Sequence, residues 1–141
     1  MDKFECKVAP TIALDADPDV TSVPRRLILV VDDEENFLTL LQWFLKQHGY
    51  EVITASSAED ALGLLAGQVF SAALLDVKLG DTDGVNLLGQ LVQRMPGLQV
   101  IMMTAFPTVG SIREAFDKGA VRYFTKPLDL QELAETIRQL I

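Results

Sequence analysis

Five short apolar runs, each followed by a stretch with helical spacing, constrain this chain more than any other feature. The runs cover residues 27–31, 50–55, 71–75, 98–103 and 121–124. The run 71–75, with no charge until Asp76 and bounded by turn residues, fits a strand buried on both faces. Between the runs, apolar residues recur every three or four positions. Phe37, Leu40, Leu41, Phe44, Leu45 and His48 form the first stripe, with Gly49 as its stop. Ala58, Ala61, Leu62 and Leu65 form the second, behind a capping box expected at Ser56 and Glu59. Val85, Leu88, Leu91 and Met95 form the third, stopped by Pro96-Gly97. Val109, Ile112, Ala115 and Phe116 form the fourth, closed by Lys118-Gly119. Leu130, Leu133, Ile137 and Leu140 form the fifth, behind an Asp129 cap with Glu132 three residues on and a Leu128–Leu133 staple. Strict strand–helix alternation predicts a parallel sheet covered on both faces. Right-handed crossovers make it a doubly wound, three-layer α/β fold with five strands.

The polar residues of interest all follow strands. Asp32 and Asp33 follow the first, Asp76 the third, Thr104 the fourth and Lys126 the fifth. The carboxyl ends of parallel strands share one edge of the sheet, and ligands bind there. Singly, each residue has an ordinary reading: an aspartate after a strand commonly caps a helix, and a lysine is commonly a solvated surface charge. Together they place three carboxylates at one rim. Each close pair repels by roughly 4 kcal/mol at an effective dielectric near 20. Something positive must offset that, and a hard divalent cation and a lysine are the candidates.

Composition narrows the functions available. The 141 residues point to one principal domain, and a 49% hydrophobic fraction is enough for a core. The net charge of −8 argues against direct nucleic-acid binding by this domain and against an anionic membrane surface. A single cysteine, Cys6, excludes an internal disulfide, and one histidine, His48, leaves little scope for nitrogen and sulfur metal chemistry. No apolar stretch approaches the ~18 residues of a membrane span. The N-terminus does not read as a signal peptide, so a cytoplasmic location is expected. Residues 1–25 differ from the rest: Pro10, Pro18 and Pro24 punctuate them, and Asp15, Asp17 and Asp19 form an acidic cluster. They read as a flexible tail, or alternatively as a partner-docking arm, ahead of a domain at 26–141.

Taken in order, the Asp32-Asp33 pair, Asp76, Asp83-Gly84, Thr104-Ala105, Tyr123 and Lys126-Pro127 resemble the receiver domain of bacterial two-component response regulators. The resemblance covers residues 26–141. It implies a flavodoxin-like sheet with strand order 2-1-3-4-5. It implies that Asp76 accepts a phosphoryl group from a sensor histidine kinase or phosphotransfer protein. It implies Mg²⁺ held by Asp33, Asp76 and the backbone carbonyl of Lys78, with Asp32 acting through water. Thr104, Ala105 and Lys126 would contact the phosphoryl group. Thr104 and Tyr123 would relay its arrival to the face formed by the fourth helix, fifth strand and fifth helix, a surface that would also serve a homodimer. It implies a cis Lys126–Pro127 bond, which local sequence alone gives only as a minority form.

The residue types suit that chemistry. A carboxylate can attack phosphorus to give a mixed anhydride. Positioning and charge stabilisation do most of the rest. Mg²⁺ takes oxygen ligands and keeps several waters. There are departures from the family pattern. Gly80 stands where the family often has proline, which reads as a more flexible loop, and Thr82 stands where an apolar residue is usual. Lys78 and Phe106 occupy positions near the site where the family varies. Two rival readings compete with a phosphorylation-activated switch that is not itself an enzyme. One is an aspartyl-phosphate phosphohydrolase, against which stand the adjacent Asp32-Asp33 pair and the lack of a D-x-D arrangement. The other is a degenerate receiver acting as a phosphorylation-independent interaction module, against which stands the intact set of five. A nucleotide or flavin binder is disfavoured because neither GxGxxG nor GxxxxGK[ST] occurs.

Overall fold

The computed structural model describes residues 26–141. The segment 1–25, with Cys6 and the acidic cluster, lies outside the described residues. Five strands form one sheet: β1 (Leu27–Val31), β2 (Glu51–Ala55), β3 (Ala72–Asp76), β4 (Gln99–Thr104) and β5 (Arg122–Thr125). Five helices alternate with them: α1 (Glu35–Gln47), α2 (Ala58–Leu64), α3 (Gly84–Arg94), α4 (Val109–Asp117) and α5 (Leu130–Leu140). All strand pairs of this sheet are parallel, in the order β2-β1-β3-β4-β5. That is the doubly wound, flavodoxin-like arrangement expected.

Alternate residues of the central strands divide between two cores, as a period of two requires. Leu29 and Val31 of β1 and Ala73 and Leu75 of β3 pack with Ala61 of α2, Leu88 and Leu91 of α3, and Ala115 of α4. Ile28, Val30, Ala72 and Leu74 turn the other way, onto Leu38, Leu41 and Leu45 of α1 and Leu133 and Ile137 of α5. Every residue of β3 is buried, so each side chain is withdrawn from water on one face or the other. Burying a leucine in this way stabilises the fold by about 1.5–3 kcal/mol.

The helix stops are as the sequence predicts, but three local expectations need correction. The cap of α2 is Ser57 rather than Ser56, and its hydroxyl accepts from the Asp60 amide at 3.1 Å. The reason is that the Ala55 carbonyl still accepts from the Asp32 amide, which keeps the chain extended one residue longer. On α1 the buried stripe includes Leu38, while Leu40 is 43% exposed. On α4, Val109 and Phe116 are 77% and 46% exposed, and Ala115 is the buried contact. Asp129 caps α5 as expected, accepting from the Glu132 amide at 3.1 Å. Lys126–Pro127 is cis.

One glycine fixes how the loop after β3 returns to α3. The Gly84 amide donates to the Val77 carbonyl at 2.6 Å. A β-carbon at this position would sit 2.0 Å from the Asp76 carbonyl oxygen and 2.8 Å from that of Val77. Both obstacles are backbone atoms, so neither can move aside cheaply. Gly84→Ala is therefore expected to cost roughly 2–4 kcal/mol in urea unfolding. Gly63→Ala, in α2 with open space around it, should instead gain about 0.5–1 kcal/mol. Equal effects of the two substitutions would refute the close-approach argument.

Candidate functional site

Among the described residues, the buried polar or charged side chains are Asp32, Asp76 and Thr104. All three stand at the carboxyl edge of the sheet. Asp32 follows β1, and Asp76 and Thr104 end β3 and β4. Because β1, β3 and β4 are neighbours, three strand ends deliver these groups to one place. Carboxylate oxygens of Asp32, Asp33 and Asp76 lie within 4.8 Å of one another.

Each carboxylate is held by a specific donor. Asp32 Oδ1 accepts from the Glu34 amide at 2.9 Å, which shapes the turn from β1 into α1. Its Oδ2 accepts from Lys126 Nζ at 2.5 Å. Asp76 Oδ2 accepts from the same ammonium at 2.9 Å, and Oδ1 accepts from the Lys78 amide at 3.0 Å. Asp33 Oδ2 accepts from the Gly80 amide at 2.9 Å. Lys126 reaches the cluster because the chain leaves β5 beside β4: its own amide donates to the Thr104 carbonyl at 2.7 Å. The ammonium also lies 4.4 Å from the centroid of the Phe37 ring, a cation–π contact.

Asp33, Asp76, Lys78, Gly80, Thr104, Ala105 and Phe106 line a cavity of about 220 Å³. Asp32 and Lys126 do not line it; Lys126 joins Asp32 to the wall through its bonds to Asp32 and Asp76. Thr104 Oγ1 accepts from the Phe106 amide at 3.2 Å, which leaves the hydroxyl proton available. The arrangement is therefore an acidic recess with Lys78 on its wall and Lys126 paired to two of its carboxylates. All its metal-capable donors are oxygens.

Burial pushes the Asp32 carboxyl up, and this outweighs the lowering by the Lys126 and Glu34 bonds. Burial works against charge on Lys126 as well, but bonds to Asp32 and Asp76 overcome it and hold the proton to higher pH.

Tyr123 stands apart from the recess. It lies on β5 in register with Met102, and its hydroxyl is 2.9 Å from Ser111 Oγ. The structure thus brings Asp32, Asp33, Asp76, Lys78, Thr104, Ala105 and Lys126 together, with Tyr123 one strand away on the α4 side. Sequence reasoning missed the Gly80 amide, the Phe37 ring and Ser111. It also took the loop at Gly80 as merely flexible. Gly80 instead has φ +59° at the turn of a two-residue ladder pairing Lys78–Leu79 with Thr82–Asp83. Proline can neither adopt that φ nor donate the bond to Asp33. The glycine of a two-residue hairpin is the signal that was available.

Removing Lys126 should unbalance the recess. Lys126→Met is expected to lower stability at neutral pH by about 3 kcal/mol in the absence of divalent cations. The pH dependence follows from the two directions. Folded Asp32 binds its proton more tightly than the ordinary carboxylate value near 3.8, so stability falls as pH rises from there through the raised value. Without Lys126 that window moves upward, and the deficit is smallest in acid. The folded Lys126 pKa is raised above 10.5, so its contribution is present below 10.5 and disappears as pH climbs through the raised value. Urea unfolding from pH ~4 to ~11 should show that alkaline loss in the wild type and not in the variant. Parallel curves would refute the pairing.

Comparison with known proteins agrees with this geometry. A CheY-like response regulator receiver domain protein from Methanospirillum hungatei JF-1 matches with a TM-score of 0.80 and 32% identity, covering 82% of this chain and 93% of that one. A response regulator from Burkholderia pseudomallei, whose structure holds a phosphorylated aspartic acid, a calcium ion and citrate, matches with a TM-score of 0.74 and 26% identity, covering 81% of this chain and 71% of that one. Transcriptional regulatory protein ZraR of Salmonella typhimurium is 39% identical over 114 residues, which is 81% of this chain and 26% of that protein. The chain spans about a quarter of the length of the curated relatives it matches. Residues 28–138 match the response regulator receiver domain, and the chain belongs to that family.

Proposed function

We propose that the domain is a phosphorylation-activated switch in which Asp76 accepts a phosphoryl group from a sensor histidine kinase or phosphotransfer protein. The observation that carries this is the placement of Asp76 on the cavity wall, 2.9 Å from Lys126 Nζ and grouped with the carboxylates of Asp32 and Asp33. An Asp76 carboxylate oxygen forms the new bond to phosphorus as the phosphorus–nitrogen bond of a phosphohistidine breaks, leaving a mixed anhydride on Asp76. The Lys78 amide holds the carboxylate in position. Lys126 offsets charge on the transferred group, and Thr104 has a hydroxyl proton to give it. Ala105, on the cavity wall, would offer its amide.

Mg²⁺ fits this donor set. Three carboxylates carry more negative charge than one lysine offsets, and hard oxygen donors suit this ion. Asp33, Asp76 and the Lys78 carbonyl would hold it, with Asp32 acting through water. When bound, it supplies charge neutralisation for the phosphoryl oxygens.

The relay would run from Thr104 on β4 to Tyr123 on β5, and outward through α4, β5 and α5. Phe106 and Val109, 83% and 77% exposed, and the half-exposed Phe116 support that side as a partner or homodimer surface. We place any DNA binding outside this domain, because the chain carries a net charge of −8. No helix among the described residues is long and apolar enough to cross a membrane.

Incubation with acetyl phosphate and Mg²⁺, followed by intact mass, tests the reading. One phosphoryl adduct per chain is expected, absent in Asp76→Asn, with the rate about tenfold or more lower in Asp33→Ala. An adduct persisting in Asp76→Asn would refute the assignment. Release of many equivalents of phosphate per chain would favour an enzyme, and indifference to the Asp33 change would favour a degenerate module.

A further inference from the structure

A polar network at the start of α4 ties two elements of the proposed relay together. Thr108 caps the helix: its Oγ1 accepts from the Ser111 amide at 3.0 Å, and Ser111 Oγ accepts from the Thr108 amide at 3.2 Å. Ser111 Oγ lies 3.1 Å from the Thr108 carbonyl, to which it donates, and 2.9 Å from the Tyr123 hydroxyl. A serine hydroxyl has one proton and two lone pairs. With the proton on the Thr108 carbonyl and one lone pair on the Thr108 amide, a single lone pair remains. It faces Tyr123, whose hydroxyl is the donor in that arrangement. The two cap bonds also fix the serine rotamer, so the acceptor is aimed before the tyrosine arrives. Phe116, further along α4, places its ring 6.5 Å from that of Tyr123. Tyr123 is therefore held by α4 at two points.

We propose that Ser111 is a positioning residue of the switch: its hydroxyl, locked by the Thr108 cap, holds Tyr123 against α4 and so favours the unphosphorylated conformation. This rests on the relay reading of Tyr123 given above. Losing the bond frees the ring to turn inward, so a phosphoryl group on Asp76 has less to overcome. The domain then responds to a weaker stimulus.

The test is a double-mutant cycle on the full chain, using beryllofluoride with Mg²⁺ as the phosphoryl mimic. Ser111→Ala and Tyr123→Phe each remove one side of the bond and keep most of the packing. Each is expected to tighten beryllofluoride binding by about fivefold, the worth of one neutral hydrogen bond. The double variant should gain nothing over either single change. Ser111→Thr keeps the hydroxyl and should restore the wild-type affinity. In NMR of labelled tyrosine, Ser111→Ala should shift the Tyr123 rotamer population before any mimic is added, which mere loosening of the cap would not do. Multiplying effects in the cycle, or an unmoved Tyr123 signal in Ser111→Ala, would overturn the role of Ser111 while leaving the relay standing. A Tyr123 signal unchanged in the wild type at saturating beryllofluoride would overturn the relay and this inference together.

Discussion

One ammonium between two buried carboxylates holds the site together. Lys126 bonds Asp32 and Asp76 across sequence separations of 94 and 50 residues, so the contact exists only when β1, β3 and β5 are all in place. At an effective dielectric near 20, each close attraction is worth roughly 4 kcal/mol, and the Asp32–Asp76 repulsion takes back about as much as one of them. Withdrawing three ions from water costs several kcal/mol apiece. The cluster therefore comes out near neutral or unfavourable as a stabilising device. An apolar trio would hold the same space at less cost. The charges make physical sense as a poised site: among the described residues no cation pairs with Asp33, and the recess can take positive charge from outside the chain.

The same constraint explains what could be read before the fold was known. Burial on both faces leaves β1, β3 and β4 with almost no polar face, so those runs announce themselves; the edge strands β2 and β5 are only partly buried, and all five fell within one residue of their expected bounds. Parallel strands share one carboxyl edge, so the residues ending those runs had to meet there. The strand order came from the family resemblance; the apolar periodicity carries no information about it. What escaped the sequence were contacts whose donor or packing surface has no signature in residue type. Val109 and Phe116 look like core residues by spacing, yet α4 meets the sheet through Ala115, and nothing in the pattern says how large the opposing residue must be. Phe37 packs against the core as its stripe position implies, and its ring also faces Lys126, which the spacing does not announce. The Gly80 bond to Asp33 is made by a backbone amide that any residue but proline carries.

Gly80 shows how a departure from a family pattern is better read through backbone geometry than through residue preference. A proline there would rigidify the loop and offer no donor. Gly80 turns the chain through positive φ and aims its amide at the Asp33 carboxylate. The loop is thereby tethered to the very residue that faces the recess. Rigidity is obtained from a hydrogen bond in place of a ring. A bond can be exchanged when Asp33 takes another partner, and a pyrrolidine ring cannot.

Exchanges of hydrogen bonds of this kind set the energy scale of the proposed switch. Turning a 1:99 population into 99:1 needs about 5.5 kcal/mol of differential stabilisation. A phosphoryl group brings about −1.5 to −2 charge and three acceptors. On the proposed reading, its charge-assisted bonds to Lys126, the Thr104 hydroxyl and the Ala105 amide would be worth roughly 1.5–3 kcal/mol each. Against them stand two neutral bonds of the resting state, Phe106 amide to Thr104 and Tyr123 to Ser111, at about 1 kcal/mol each. The difference, about 2.5–7 kcal/mol, brackets what a full switch requires. In a balance of that size, a single resting-state hydrogen bond would change how complete the response is, so on the proposed reading Ser111 and Tyr123 would be as much part of the switch as Asp76.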